Sequence, residues 1–398
     1  MSWLMRLVTI FTLRRLTPVL GVALCLASSI TTADGIQHTW TNIDRIVAIG
    51  DIHGDYENYR RVMREAGLTD KRGRWAAGKT HFVQVGDIPD RGPDTRKITA
   101  HLQKLEKQAL KNGGRVHILV GNHEFMNATG DLRYVHPGEY EAFKSRNSKA
   151  YLDNYYQQVV AAITAKNEQL LAEGSNATTI IDEAFKTQWY RDHPPGYIEH
   201  RLSWQKGGEM NRWVSQHNSV IRINNILFMH AGLGAPYTSW TLSDINTTIR
   251  SELRGEGSDE PSLGDNQAGP LWYRGLAKND EVDEEAHLAS LLEAFGVDMI
   301  VVGHTPNLGV ITPRFGGRVV IIDTGISDYY GGNRGSLLIE GDSHVAIHGR
   351  HHQPMPRSNA DTLDYFKALA AQKPDNERLH SYVSILEKTT DNLVHDAP

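Results

Sequence analysis

The chain has 398 residues, a net charge of −5, a pI near 6.4 and a mean hydropathy of −0.43. That length exceeds one minimal domain and holds a large core, in a chain of soluble, globular character. The acidic balance and the lack of a long like-charge run exclude an electrostatic nucleic-acid binder.

In chain order, residues 1–33 differ from the rest of the chain. Arg6, Arg14 and Arg15 precede the apolar run "LTPVLGVALCLASSI", and small residues end at Thr31-x-Ala33. A positive head, a short apolar stretch and such a site predict a secretory signal, hence a periplasmic or secreted protein with no stable membrane span once it is removed. An uncleaved anchor is the competing reading, against which the apolar run is short. Cys25 is the only cysteine. A processed chain therefore has neither a disulfide nor a thiolate nucleophile.

From residue 45 one pattern recurs. "RIVAIGD" (45–51), "HFVQVGD" (81–87), "VHILVGN" (116–122) and "DMIVVGH" (298–304) are each an apolar run, then Gly, then a residue of metal-ligand type. Runs of this length predict strands buried on both faces. Helical patterns at 55–67 and 93–114 separate the first three, the second closed by Gly113-Gly114, so the sheet is expected to be largely parallel with helices outside. "NILFMHAG" (225–232) gives a fifth strand ending at His230. "VITPRFGGRVVIIDTGI" and "GSLLIEGDSHVAIHG" predict hairpins turning at Gly316-Gly317 and Gly341-Asp342. Together these elements predict two mixed sheets packed on each other, an α/β fold. Residues 128–229 read as a helical insertion, either a cap beside the site or a structural layer away from it. Residues 351–398 read as a charged tail with one or two helices.

In such sheets chemistry sits beyond the carboxyl ends of the strands. Asp51, His53, Asp87, Asn122, His230 and His304 all fall there. Oxygen and imidazole donors without thiolate suit Mn, Fe or Zn better than Ca or Mg. Six donors exceed one site and match two divalent ions sharing a carboxylate, the arrangement that clamps a phosphate and activates a water. Two such ions against two aspartates leave the pocket net positive inside a negative chain, and Arg91 can add a bidentate clamp on phosphate oxygens.

The series "GDIHG" (50–54), "GDIPDRG" (86–92), "GNHE" (121–124), "HAG" (230–232) and "GH" (303–304) resembles the phosphoprotein phosphatases among the calcineurin-like metallophosphoesterases. Gly303-His304-Thr305-Pro306 lacks the second histidine of the related nucleases and phosphodiesterases. "NHEFMNATGDLRYVHPGEY" (122–140) and "GPLWYRG" (269–275) are similar to the bacterial Shewanella-like phosphatases. The resemblance implies a calcineurin-like fold of two mixed, sandwiched sheets flanked by helices, with residues 40–350 as the catalytic domain. It implies that Asp51, His53 and Asp87 hold one metal, and that Asp87, Asn122, His230 and His304 hold the other. His123 would be the proton donor, oriented by Asp90. Arg91, Asn122 and Arg274 would bind phosphate, with Tyr330, or its neighbour Tyr329, over the site. His-Ala-Gly in place of His-Gly-Gly, and Pro89 in place of Val, depart from the eukaryotic enzymes.

The expected activity is metal-dependent hydrolysis of phosphomonoesters, small or on phosphoproteins, at phosphotyrosine or phosphoserine. The competing expectations are a dinucleoside-polyphosphate hydrolase and a non-catalytic phospholigand-binding module. Simpler readings also exist: an Asp90–Arg91 ion pair, an ordinary loop arginine at 274, and packing tyrosines at 329 and 330. The Asn-x-Thr sequons at Asn127, Asn176 and Asn246 read as chance.

Overall fold

The computed structural model describes residues 35–175, 178–257 and 262–395. The segment read as a signal, with Cys25, and the sequon at Asn176 lie outside them. The strands are β1 (Thr39–Trp40), β2 (Arg45–Ile49), β3 (His81–Gln84), β4 (Arg115–Ile118), β5 (Val220–Ile223), β6 (Ile226–Met229), β7 (Met299–Val302), β8 (Thr312–Arg314), β9 (Val319–Ile321), β10 (Ser336–Glu340), β11 (Ser343–His348) and β12 (His351–Pro354). They form two six-stranded sheets, ordered β12-β11-β10-β2-β3-β4 and β1-β5-β6-β7-β9-β8. The β2-β3-β4 and β6-β7-β9 neighbours are parallel, and the hairpins β8–β9 and β10–β11 are antiparallel as expected.

Alternation along each strand makes the layers. Ile46 and Ala48 of β2 point between the sheets, where they meet Ile221, Phe228, Val301 and Val320 of the other sheet. Val47 and Ile49 point outward against helices α1 (Tyr56–Glu65) and α2 (Thr95–Lys111). The other sheet buries Leu227, Met229, Ile300 and Val302 against further helices. The result is a helix–sheet–sheet–helix sandwich. Each fully buried Val, Ile, Leu or Phe contributes about 1.5–3 kcal/mol.

Three further helices belong to the segment after β4: α3 (Asn122–Thr129), α4 (Pro137–Phe143) and α5 (Ser148–Ala172). They are followed by α6 (Glu183–Asp192), α7 (Tyr197–Trp204) and α8 (Glu209–Val214). Next come α9 (Leu242–Leu253), α10 (Gly275–Lys278) and α11 (Glu281–Phe295). The last two are α12 (Asn359–Gln372) and α13 (Glu377–His395).

The expected tail from residue 351 is corrected. Its first residues form β12 against β11, and Tyr365, Phe366, Leu369 and Ala370 of α12 are buried in the core between the sheets. From His38 onward the described residues form one compact unit, so no domain boundary falls at 350. The reason is physical: at the edge formed by β12 and β8 the sandwich would expose apolar residues from both sheets, and the aromatic face of α12 closes it. None of the described helices is long and apolar enough to cross a membrane.

Candidate metal and phosphate site

The first sheet delivers Asp51, His53, Asp87 and Asn122 just past the ends of β2, β3 and β4. The second delivers His230 and His304 past β6 and β7. All six are buried and converge where the two sheets meet. His53, Asp87, Asp90, Arg91 and His304 all have φ between 47° and 70°, a left-handed backbone that non-glycine residues rarely adopt. Strain of this kind costs about 1–3 kcal/mol per residue and persists where surrounding contacts over-determine it. Glu124 supplies such contacts, because its carboxylate accepts from Asp87 N (3.0 Å), Ile88 N (2.8 Å) and Gly121 N (2.8 Å). Two glycines are there for space. A Cβ on Gly121 would strike Asp87 Oδ1, and one on Gly303 would strike Asp51 Oδ1.

Two donor groups share Asp87: His53, Asp87 and His123, and Asp87, His230 and His304. Hydrogen bonding at their outer edges fixes which nitrogen faces inward. His53 Nδ1 lies 3.1 Å from Pro89 O, and His230 Nδ1 lies 2.9 Å from Val85 O. A carbonyl can only accept, so each Nδ1 carries the proton and each ring presents Nε2 to the interior, the nitrogen by which an imidazole can hold a metal. His230 Nε2 sits 2.9 Å from Asn122 Oδ1 and 3.3 Å from Asp87 Oδ2. His304 Nδ1 is 3.0 Å from the same nitrogen, and His304 Nε2 is buried without a hydrogen-bond partner. Imidazole nitrogens and carboxylate or amide oxygens of several chain segments thus converge on Asp87, as ligands around a cation do. The donor set therefore fits divalent metal ions.

The carboxylates agree. Burial, then the charges of Asp323 and Asp87, push Asp51 well above its ordinary range. Asp323 is raised to about 6, chiefly by burial. Asp51 accepts from His304 N at 3.1 Å through both oxygens. The metal group picked out by proximity contains His123 where the sequence reading has Asp51. His123 Nδ1 is 2.5 Å from Asp90 Oδ2. Burial opposes its protonation, but Asp87 and Asp90 outweigh burial and raise its pKa. A ring whose charged form these carboxylates favour is a poorer ligand than the Asp51 carboxylate.

Arg91 forms no ion pair with Asp90. Its guanidinium lies 3.9 Å from the Tyr134 ring centre and 4.8 Å from that of Tyr329, and Nη1 donates to Tyr329 Oη at 3.1 Å. Held by rings rather than carboxylates, its charge stays available to an anion. Tyr330 packs over His53, ring centres 5.1 Å apart, while Tyr329 is exposed at the rim. Arg274 lines the same pocket, but its Nη1 is committed to His304 O (2.6 Å) and Thr305 Oγ1 (3.0 Å), which holds the His304 loop. The pocket has a volume of about 390 Å³ and is walled by Tyr134, Trp272 and Tyr330.

Sequence reasoning misses Asp323, Tyr134 and Glu124 as site residues. Asp55, clustered in sequence with Asp51 and His53, is not a ligand. It caps α1 through Asn58 N (2.9 Å) and accepts from Asp328 N (2.9 Å), fastening the tyrosine turn. The insertion is both cap and layer. Its Tyr134 O accepts from Arg91 N (3.1 Å), and Arg201 Nη1 donates to Asn127 O (3.2 Å) behind the site. Most of α5 faces outward. Asn127 and Asn246 are fully buried and hydrogen-bonded, which excludes a glycan at either.

Residues 44–308 match the calcineurin-like phosphoesterase family. An uncharacterised protein of Schizosaccharomyces pombe is 35% identical over 303 residues, 74% of this chain and 76% of that one. Shewanella-like protein phosphatase 2 of Arabidopsis thaliana is 28% identical, covering 73% of this chain and 74% of its own. Among solved structures, the cold-active protein-tyrosine phosphatase of a psychrophilic Shewanella species superposes with a TM-score of 0.59 at 25% identity, over 83% of this chain and 85% of that one.

Proposed function

Since the chain belongs to the calcineurin-like phosphoesterase family, we propose that it is a metal-dependent phosphatase acting on phosphomonoesters, and on phosphotyrosine in particular. The observation that carries the reading is the juxtaposition of three things in one pocket: the shared-Asp87 donor groups, the unpaired charge of Arg91, and a His123 ring held by Asp90. The aromatic rim of Tyr134, Trp272 and Tyr330 supports an aryl ester, because rings stack on a phenyl leaving group. The Shewanella relative is a protein-tyrosine phosphatase.

Asp51, His53 and Asp87 would hold one divalent ion, and Asp87, Asn122, His230 and His304 a second. The donor types favour Mn, Fe or Zn. Such ions, when bound, supply Lewis-acid activation of the phosphoryl group and of a water. Arg91 grips the peripheral phosphate oxygens and orients the ester. His123, held by Asp90, offers the Nε2 proton to the departing oxygen. Tyr330 and Trp272 narrow the mouth and limit water around the reacting group.

The test is a substrate panel on protein reconstituted with each metal. A phosphotyrosyl peptide is expected to be hydrolysed at least about tenfold more efficiently than its phosphoseryl counterpart, a gain within reach of one or two aromatic contacts. Diadenosine tetraphosphate is expected to be a poor substrate. Preference for the dinucleotide would reverse the reading. Arg91→Ala should raise KM and lower kcat for an aryl phosphate, since charge on the peripheral oxygens persists in the transition state. Steady-state kinetics should show a loss on the order of 2–4 kcal/mol in kcat/KM. A change below about tenfold, roughly 1.4 kcal/mol, would mean that Arg91 does not touch the phosphate.

A further inference from the structure

A second cavity of about 620 Å³ opens beside the catalytic pocket, and the two share Pro306 and Tyr330 as walls. One side is the stretch after His304, Pro306 to Gly309. The other is the turn between α12 and α13, Gln372 to Arg378. This turn is fixed rather than loosely apposed. Lys373 Nζ donates to Gly309 O (2.7 Å), Asn376 Nδ2 donates to Leu308 O (2.7 Å), and Asn376 Oδ1 accepts from Leu379 N (3.1 Å). The second wall comes from residues beyond 308, where the family match ends, while Asn307 on the first lies within it. The volume falls within the ~300–1,000 Å³ typical of ligand clefts.

The lining says what fits. Lys373 and Arg378 are balanced by Asp375 and Glu377, so the cavity has no net charge. A nucleotide or a second phosphate would want a positive wall. Asn307, half-buried, and Gln372, exposed, add carboxamides that line the cavity. A carboxamide both donates and accepts, the pairing that a peptide group presents in return.

We propose that this cavity takes the polypeptide strand flanking the phosphorylated residue of a protein substrate, with Asn307 and Gln372 bonding its backbone. The proposal rests on the phosphatase reading above. Because Tyr330 is common to both cavities, a strand leaving the catalytic pocket enters the second one directly. The preformed wall lowers the ordering cost of binding.

The test uses the full-length, metal-reconstituted protein with two substrates: a phosphotyrosyl peptide extended by several residues on each side, and phosphotyrosine with blocked termini. The peptide is expected to exceed the blocked residue by about tenfold in kcat/KM, carried by KM, as two backbone hydrogen bonds would give. The double variant Asn307→Ala, Gln372→Ala should erase that advantage and leave the blocked residue within about twofold of wild type, a change too small for a lost hydrogen bond. Equal rates on both substrates in the wild type, or a parallel loss on both in the variant, would overturn the groove. Fluorescence anisotropy with the dephosphorylated peptide separates this from the catalytic reading. Binding should weaken about tenfold in the double variant whether or not the protein turns over any phosphoester, and identical binding by the two proteins would also overturn it. If the wild type hydrolyses neither substrate, the phosphatase reading fails while the anisotropy result still decides the groove.

Discussion

Asp87→Asn is expected to lose metal and catalytic activity together. The Asp87 carboxylate is the one group common to both donor sets, with Oδ2 3.3 Å from His230 Nε2 and 3.8 Å from His53 Nε2. An amide there removes the negative charge that both ions would share. It also risks turning an N–H toward the neighbouring ring nitrogens. Elemental analysis should show a fall from about two ions per chain to one or none, and kcat/KM should drop on the order of 10³-fold or more, several kcal/mol of transition-state stabilisation. The backbone has its own anchor, since Asp87 N donates to Glu124 Oε2 rather than to any ligand. The variant should therefore keep a wild-type circular dichroism spectrum, so that metal loss and misfolding are told apart. Two ions retained with undiminished activity would refute the shared-carboxylate arrangement.

Five of the six proposed ligands can be read from the sequence because each stands at the same place in a repeating pattern: apolar run, glycine or strand end, donor; His53 follows two residues after the first of them. That pattern fixes position in a parallel sheet without knowledge of tertiary contacts. Asp323 shows the limit. "VVIIDTG" has the same run, but it lies in the second arm of a hairpin and its glycine comes after the aspartate. Only the pairing of β9 with β7 carries it to the mouth, beside Asp51. Tyr134 is hidden for a different reason. It sits in an irregular stretch with no periodicity, and it matters only because that stretch folds back to cover Arg91. The C-terminal segment reads as a tail although eight of the fourteen residues of α12 are apolar, because half of those are alanines and charged residues surround the helix. Burial of the apolar ones is decided by the open edge of the sandwich and not by local pattern. Resemblance alone assigns Arg274 to phosphate, and its bonds to His304 O and Thr305 show the other work it does.

His123→Asn separates the proton donor from the metal site. The ring is fixed from both sides: Nδ1 is 2.5 Å from Asp90 Oδ2, and Asn127 Nδ2 bridges Asp90 Oδ1 (3.0 Å) to His123 O (2.9 Å). Asp90 is completely buried, so its carboxylate has little else to serve. Burial alone would strip the proton from the imidazole. Asp87 and Asp90 reverse this and hold the pKa above its usual value. These carboxylates favour the acid form, and activity that depends on it declines as pH rises through the raised pKa. Proton donation is worth roughly 10²–10⁴-fold, and its worth depends on the leaving group. A nitrophenolate leaves unaided, an alkoxide does not, and the tyrosine phenol, with a pKa of about 10, falls between them. The variant should thus be nearly normal on aryl phosphates with acidic phenols and most damaged on alkyl phosphates, at constant metal content. Its alkaline activity limb should vanish where that limb belongs to His123. The measurement is kcat across a leaving-group series at fixed pH, with chemistry shown to be rate-limiting. A steeper dependence on leaving-group pKa in the variant identifies the donor. Parallel lines for variant and wild type would mean that His123 only positions substrate, and that the Asp90 pair is there to hold α3 in place.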